Sequence, residues 1–259
     1  MILEFLGIII LGGFSSIILN RCIQRMPDDL PLFSLGTCNS CQNQLPVLLN
    51  IPLAGYWLAG KKCQSCDNPL PLQPLLIECL TFMGTIGLFL WRGYSLSIIN
   101  ELLLLYLLII IAVIDWNTMT IEPRIIVGGI CLRVTWIILF ETNQLLSFLT
   151  GMLVAAGAFY FIGFFYETLR RRPGLGDGDA AVLGLVALWT GWQGLSLVVL
   201  LAAISGLIIG VGVLIIKKQP VGSTQIPFAP FLCLGGSLVY LIQHIDHPLT
   251  NIMKPFIFE

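Results

Sequence analysis

Charge is scarce in this chain. Only 10% of its 259 residues are Asp, Glu, Lys or Arg, against about 25% in an average soluble domain. That scarcity excludes an ordinary soluble globular protein. Charge of one sign is missing too: 13 basic residues face 14 acidic ones, for a net charge of −1, so nothing points to a nucleic-acid partner. No low-complexity tract or internal repeat stands out. The first apolar run, Met1 to Leu19, lacks a basic leading region and a small-residue cleavage site, and it carries Glu4. It therefore reads as a retained anchor rather than a signal peptide. What the chain has in quantity is apolar surface: 57% hydrophobic residues and a mean hydropathy of +0.92.

A spanning helix needs about 20 mostly apolar residues. On that measure the sequence predicts an all-α polytopic membrane protein with about eight transmembrane helices, near 2–20, 74–91, 96–114, 124–140, 147–166, 180–192, 195–216 and 227–244. The sixth is short and ends in Trp189, Thr190, Gly191 and Trp192; such tryptophans suit a membrane interface. With the N-terminus outside, ten of the thirteen basic residues fall on inside loops: Arg21, Arg25, Lys61, Lys62, Arg124, Arg170, Arg171, Arg172, Lys217 and Lys218. Arg92 and Lys254 fall outside, and Arg133 lies within a span. This bias predicts an N-out, C-out topology. The expected domains are a first transmembrane helix over 1–20, a cytoplasmic loop domain over 21–73, and a seven-helix membrane domain over 74–259.

The loop is too short to bury a large core, and small domains usually need a staple. Cys38-Asn39-Ser40-Cys41 and Cys63-Gln64-Ser65-Cys66 supply one. Two such pairs at this separation make a zinc-ribbon-like pattern, because a two-residue spacer lets one turn present two sulfurs to one tetrahedral ion. A four-thiolate site has no open position, so its zinc would be structural. The alternative is two disulfides, which a reducing cytoplasm disfavours. The other cysteines, Cys22, Cys79, Cys131 and Cys233, read as small core residues. His244, Asp246 and His247 read as a wet, polar helix end.

Two acids stand at comparable places. Asp115 closes the third span, and Asp179 opens the sixth on the same face, within Gly174-Leu175-Gly176-Asp177-Gly178-Asp179. Intramembrane carboxylates are costly unless used, and glycines at 176 and 178 let the backbone bend and another chain approach. Two carboxyls held together share one proton, which suits aspartic peptide hydrolysis. Asp177 is a rival to Asp179. Three other readings stay open: a helix start with Asp179 as N-cap; a proton-coupled transporter using the paired acids; and a scaffold in which Asp115 pairs with Arg124 or an arginine of 170–172 while the zinc loop docks a partner.

Several stretches together carry a family resemblance. They are Asn20 to Arg25 with Pro27; the two CxxC pairs around Asn50-Ile51-Pro52, followed by Glu78; Ile114-Asp115; Gly176-Asp177-Gly178-Asp179; and Ile226-Pro227-Phe228 with Pro230. The chain resembles the type IV prepilin peptidases, also called prepilin leader peptidase/N-methyltransferases, over most of its length. The resemblance implies a GxGD-type aspartic peptidase with Asp115 and Asp179 catalytic. Its substrates would be type IV prepilins or pseudopilins, cut at the cytoplasmic face of a bacterial inner membrane. It also implies N-methylation of the new terminus by S-adenosylmethionine, with Asn20, Arg25 and Glu78 as candidates for cofactor or substrate contacts. Three positions depart from the family pattern: Ala181 stands where a lysine is usual, Glu122-Pro123-Arg124 replaces a proline-aspartate segment, and Ala229 replaces a glycine.

Overall fold

The computed structural model describes residues 2–32, 37–38, 40–41, 43–45, 49, 51–171, 176–217 and 226–245. Asn39, Asn50, the run from Arg172 to Leu175, Lys218, Asp246, His247 and Lys254 lie outside the described residues. The helices are α1 (Ile2–Arg25), α2 (Gly55–Leu58), α3 (Gln73–Arg92), α4 (Ile98–Thr118), α5 (Pro123–Phe140), α6 (Leu145–Arg170), α7 (Asp177–Lys217) and α8 (Ala229–His244). No strand occurs among the described residues; two isolated antiparallel bridges, Thr37 with Gln44 and Lys62 with Pro69, are the only β pairing there. The chain forms two compact units, Met1–Ile110 and Ile111–Glu259, and α4 is shared between them.

Helix boundaries follow local chemistry. Proline stands in the first two positions of α3, α5 and α8, where its missing N–H costs nothing. Gly93 ends α3 at φ 67°. In the first unit α1 and α3 run antiparallel, since Gly12 meets Phe82 and Thr85 while Asn20 meets Pro74 and Glu78. Thr81 and Thr85 are wholly buried and return their hydroxyls to the carbonyls of Ile77 and Thr81. Arg92 and the buried Glu101 pair at 2.6 Å.

In the second unit the expected sixth and seventh segments form one element. A straight helix of α7's 41 residues would run about 60 Å, twice the hydrocarbon thickness. It does not stay straight. Gly191 takes φ 66°, ψ 175°, a conformation open to glycine. Both arms then lie along α8: Gly236 packs on Val186 of the first arm, and Gly235 on the carbonyl of Val198 of the second, where an ideal Cβ would sit 2.6 Å from the oxygen. Contacts five residues before the break and seven after it, at adjacent positions of α8, describe a hairpin. Among the described residues, six helices are long and apolar enough to cross a membrane. The eight expected segments all lie in these helices: two are the arms of α7, and the 16-residue α8 is shorter than that measure.

The break exposes the last carbonyls of the first arm, which have no helical partner one turn on. Side chains take two of them. Arg133 Nε donates to the Leu188 carbonyl at 3.0 Å, and Gln243 Nε2 to that of Thr190 at 2.8 Å. Arg133 also makes a two-pronged bond to Glu141 at 3.1 and 2.9 Å, Trp136 donates to the same carboxylate, and the rings of Phe148 and Trp189 flank the guanidinium. Arg133 is 3% exposed, so Arg133→Ala strands both a carboxylate and a carbonyl. We expect a loss of about 3 kcal/mol, read as a lowered thermal unfolding midpoint in detergent. Arg133→Lys should recover little of it, because an ammonium lacks the planar fork. An unchanged midpoint in Arg133→Ala would refute the clamp.

Candidate active site and metal centre

Asp115 sits in the last turn of α4, which closes on Met119 at φ 52° with the Met119 N–H bonded to the Asp115 carbonyl. Its side chain is turned inward, leaving the residue 5% exposed. The backbone N–H of Ala229, the first residue of α8, reaches its carboxylate. That N–H is one of the donors every helix start leaves without an internal partner, and α8 has no side-chain cap of its own. Asp115 thus supplies the missing acceptor from another helix, at the end where the helix dipole favours an anion. Its Oδ2 is buried with no hydrogen-bond partner among the described residues. An orphaned buried acceptor costs about 1–3 kcal/mol, unless a proton, water or substrate satisfies it.

Asp179 is half-buried at the start of α7. The sequence offered it as an N-cap with the helix beginning at Ala180. Instead α7 starts at Asp177, Gly176 precedes it, and Asp179 occupies the third helical position. Its carboxylate turns back to the Gly176 N–H, while its own N–H bonds the Gly176 carbonyl at 3.0 Å. This is the returning half of a capping box. Asp177 is exposed.

Asp115 lies close enough to Asp179 for its charge to be felt there, and the buried Cys233 lies within reach of both. Gly178 makes the approach possible: a Cβ there would stand 2.7 Å from Ile121 Cδ1 and 3.0 Å from its Cβ. Ile121 belongs to the short turn between α4 and α5, so the missing side chain lets the start of α7 press against the end of α4. Arg124 spends its Nε on Glu122 at 2.6 Å.

Sequence reasoning missed Ala229, Cys233, Ile121 and the Arg133 clamp. A lone arginine inside an apolar run, with Glu141 eight residues on, was the one available signal for the clamp. Ala229 acts through its backbone and Ile121 through its shape, and residue type announces neither.

In the first unit the four expected cysteines meet. All four sulfurs lie within 4.8 Å of one another, with Cys38 to Cys66 at 3.8 Å and Cys41 to Cys63 at 3.7 Å. Four sulfurs held tetrahedrally at 2.3 Å from one zinc would be about 3.8 Å apart. All four are free, so the disulfide alternative does not hold. The two knuckles repeat each other. Each reads Cys-x-Ser-Cys-x-Asn, each is flanked by one β-bridge, and each binds its first cysteine's N–H to its asparagine's carbonyl at 2.9 Å, Cys38 to Asn43 and Cys63 to Asn68. This short repeat escaped the sequence reading. The N–H groups of Cys41 and Ser40 hold the Cys38 thiol down to about 6, and those of Ser65 and Cys66 lower Cys63. Against the Asn68 N–H, burial and the neighbouring sulfurs push Cys66 up to about 12. Four sulfurs packed this closely suit a shared cation, and zinc fits that donor set.

Of the three residues expected near a methyl donor, two are brought together. Asn20 Nδ2 donates to Glu78 Oε1 and to the Pro74 carbonyl, each at 3.0 Å, and Glu78 Oε2 accepts the Leu53 N–H at 2.7 Å. Asn20 Oδ1 is buried without a partner among the described residues. Arg25 lies elsewhere on α1 and bonds the Pro31 carbonyl at 2.6 Å.

Comparison with known proteins covers both units. Residues 102–211 match the model of the Type IV leader peptidase family, and residues 10–92 match that of the Bacterial Peptidase A24 N-terminal domain. The chain belongs to the type IV leader peptidase family. Proteins named prepilin leader peptidase/N-methyltransferase are similar along most of its length. The one from Aeromonas hydrophila is 25% identical, covering 92% of this chain and 89% of its own; that from Legionella pneumophila is 28% identical, covering 77% and 69%. The relative from Pectobacterium carotovorum subsp. carotovorum is 29% identical, covering 78% and 72%. No solved structure matches. Asp115 and Asp179 fall inside the peptidase match; the four cysteines, Asn20, Arg25 and Glu78 fall inside the N-terminal one.

Metal removal tests the cysteine centre. The purified protein should carry about one zinc per chain. Stripping it with a strong chelator, or replacing Cys38 and Cys63 with serine, should open the loop to proteolysis and leave the remaining thiols open to alkylation. Metal-free protein with a loop as protease-resistant as before would contradict this.

Proposed function

We propose that this member of the type IV leader peptidase family is a membrane aspartic endopeptidase of the GxGD type. It removes the short basic leader from type IV prepilins or pseudopilins at the cytoplasmic face of a bacterial inner membrane. Asp115 and Asp179 are the catalytic pair, supported by Gly176 and Gly178. The observation that carries this reading is the pair itself: two acids 64 positions apart in sequence, each at a helix end, electrostatic neighbours beside an orphaned carboxylate oxygen.

Two carboxyls brought together at a site share one proton, and that is the arrangement proposed for Asp115 and Asp179. The ionised member takes a proton from water. The protonated member polarises the scissile carbonyl, and the water adds to it. The proton then passes to the leaving amine as the tetrahedral intermediate collapses, with no covalent enzyme intermediate. The Ala229 and Gly176 N–H groups hold the two carboxylates in place, so neither must reorganise during reaction.

The proposed orientation is N-terminus outside, which puts the cysteine loop and both acids on the cytoplasmic side. Zinc is proposed as the structural ion of Cys38, Cys41, Cys63 and Cys66. The second activity, methylation of the new amino terminus from S-adenosylmethionine, rests on the names of the relatives; Asn20, Arg25 and Glu78 are proposed for contacts with donor or substrate. When bound, that cofactor supplies an electrophilic methyl group.

Co-expression with a prepilin tests the pair. Following the leader by mass, we expect wild type to cut, while Asp115→Asn and Asp179→Asn stay folded and cut at least about 1,000-fold more slowly. Asp177→Asn should keep most of its activity. If Asp177→Asn is dead and Asp179→Asn active, the roles are exchanged; if both acid variants cut like wild type, the pair is not catalytic. Gly178→Leu, which drives a side chain into Ile121, should lose cleavage with Asp115 and Asp179 both intact.

A further inference from the structure

The stretch between the two cysteine knuckles reads in sequence as part of a soluble loop. The structure seats part of it against the apolar stretch of α1. The charged end of α1 begins at Arg21; Gly13 lies eight residues further into a run whose Ser15 and Ser16 are buried, about 12 Å deeper at the helical rise. Pro52 packs at Gly13: a Cβ there would meet Pro52 Cγ at 3.2 Å and Cβ at 3.7 Å. The next residue, Leu53, donates its N–H to Glu78 of α3 at 2.7 Å. From Ile51 the chain wedges against α1 below its charged end, is tied to α3, and returns through α2 to the second knuckle.

Backbone at bilayer depth must satisfy its own polar groups, and most N–H groups of this segment are partnered. Pro52 has no N–H to place. Leu53 uses Glu78, Ala54 bonds the Pro52 carbonyl, and Gly55, Leu58 and Ala59 close one helical turn onto Ile51, Ala54 and Gly55. Leu53 adopts φ 63° to make the reversal. The apolar side chains then point away from the protein. Trp57 is 59% exposed and Leu58 60%, whereas Gly55 and Ala59 are buried. Lys61 lies over the Trp57 ring at 3.9 Å. Exposed tryptophan with a lysine laid across it is the arrangement of a membrane interface, with the ring among headgroups and the ammonium reaching for phosphate.

We infer that Ile51–Leu58 is a re-entrant membrane element whose Trp57 and Leu58 contact lipid, pinning the four-cysteine loop to the bilayer surface. The occupant of this apolar face is the leaflet that already surrounds α1. The wedge at Gly13 is continuous with α1's outward residues Ile10, Phe14 and Ile18, which are likewise exposed. The inference does not depend on the chemistry proposed for Asp115 and Asp179.

Full-length protein in nanodiscs of phosphatidylcholine brominated on the acyl chain tests it. The chain has six tryptophans, so Trp57 is read as the difference between wild type and Trp57→Phe. We expect bromolipid to cut that difference emission about twofold or more, with little quenching by aqueous iodide. Quenching by iodide and not by bromolipid would put the element in water. Quenching by neither would put protein over it, as a second copy of the chain would. Either result overturns the proposal. Gly13→Leu fills the notch that receives Pro52, and should shift Trp57 from bromolipid to iodide quenching. Should that variant fail to fold, Gly13→Ala should give a smaller shift in the same direction. No shift in a folded variant overturns the wedge.

Discussion

A polar group carried below the membrane surface must find a partner in the protein. Water is absent there, and an unsatisfied group costs several kcal/mol. Nearly every distinctive feature of this chain answers that constraint. Threonine hydroxyls in α3 fold back on carbonyls one turn earlier. The Gly191 break in α7 is tolerated because Arg133 and Gln243 take carbonyls of its last turn. Asn20 Nδ2 and the Leu53 N–H both donate to the Glu78 carboxylate where two helices and a loop meet.

The acid pair obeys the same rule and then departs from it. Asp115 takes the Ala229 N–H and Asp179 the Gly176 N–H, so two helix starts and two carboxylates complete each other. One oxygen is left over, Asp115 Oδ2. An unmatched acceptor beside a second acid is the feature that the proposed proton-sharing pair would use. The hairpin matters for the same reason. The first arm of α7 is buried almost throughout, from Val182 to Gly191. Its far end is clamped by Arg133, so the arm has little freedom to slide, and the position of Asp179 is set from both ends.

Much of this was legible in the sequence. Long apolar runs gave the helices to within a few residues, because a bilayer demands a fixed length of hydrocarbon-compatible chain. The four cysteines announced their centre because metal ligation needs particular atoms at particular spacings. Asp115 and Asp179 stood out because carboxylates are rare in such surroundings. Length used by itself left one division open. Asp177–Lys217 reads as two spans, and the break at Gly191 agrees, yet an arm that ends at Thr190 is only about 21 Å long at the helical rise.

The sequence by itself determined which atoms are available: apolar length for the helices, four thiols for a cation, two acids at helix ends, and glycines where chains can meet. Those are one-dimensional properties, fixed by composition and spacing. Only the tertiary structure decided which groups complete each other: Ala229 with Asp115, Ile121 against Gly178, Arg133 with the Leu188 carbonyl, Pro52 against Gly13. Those partners are backbone groups and shapes rather than residue types. A backbone N–H or a missing Cβ acquires meaning only when folding brings something opposite it.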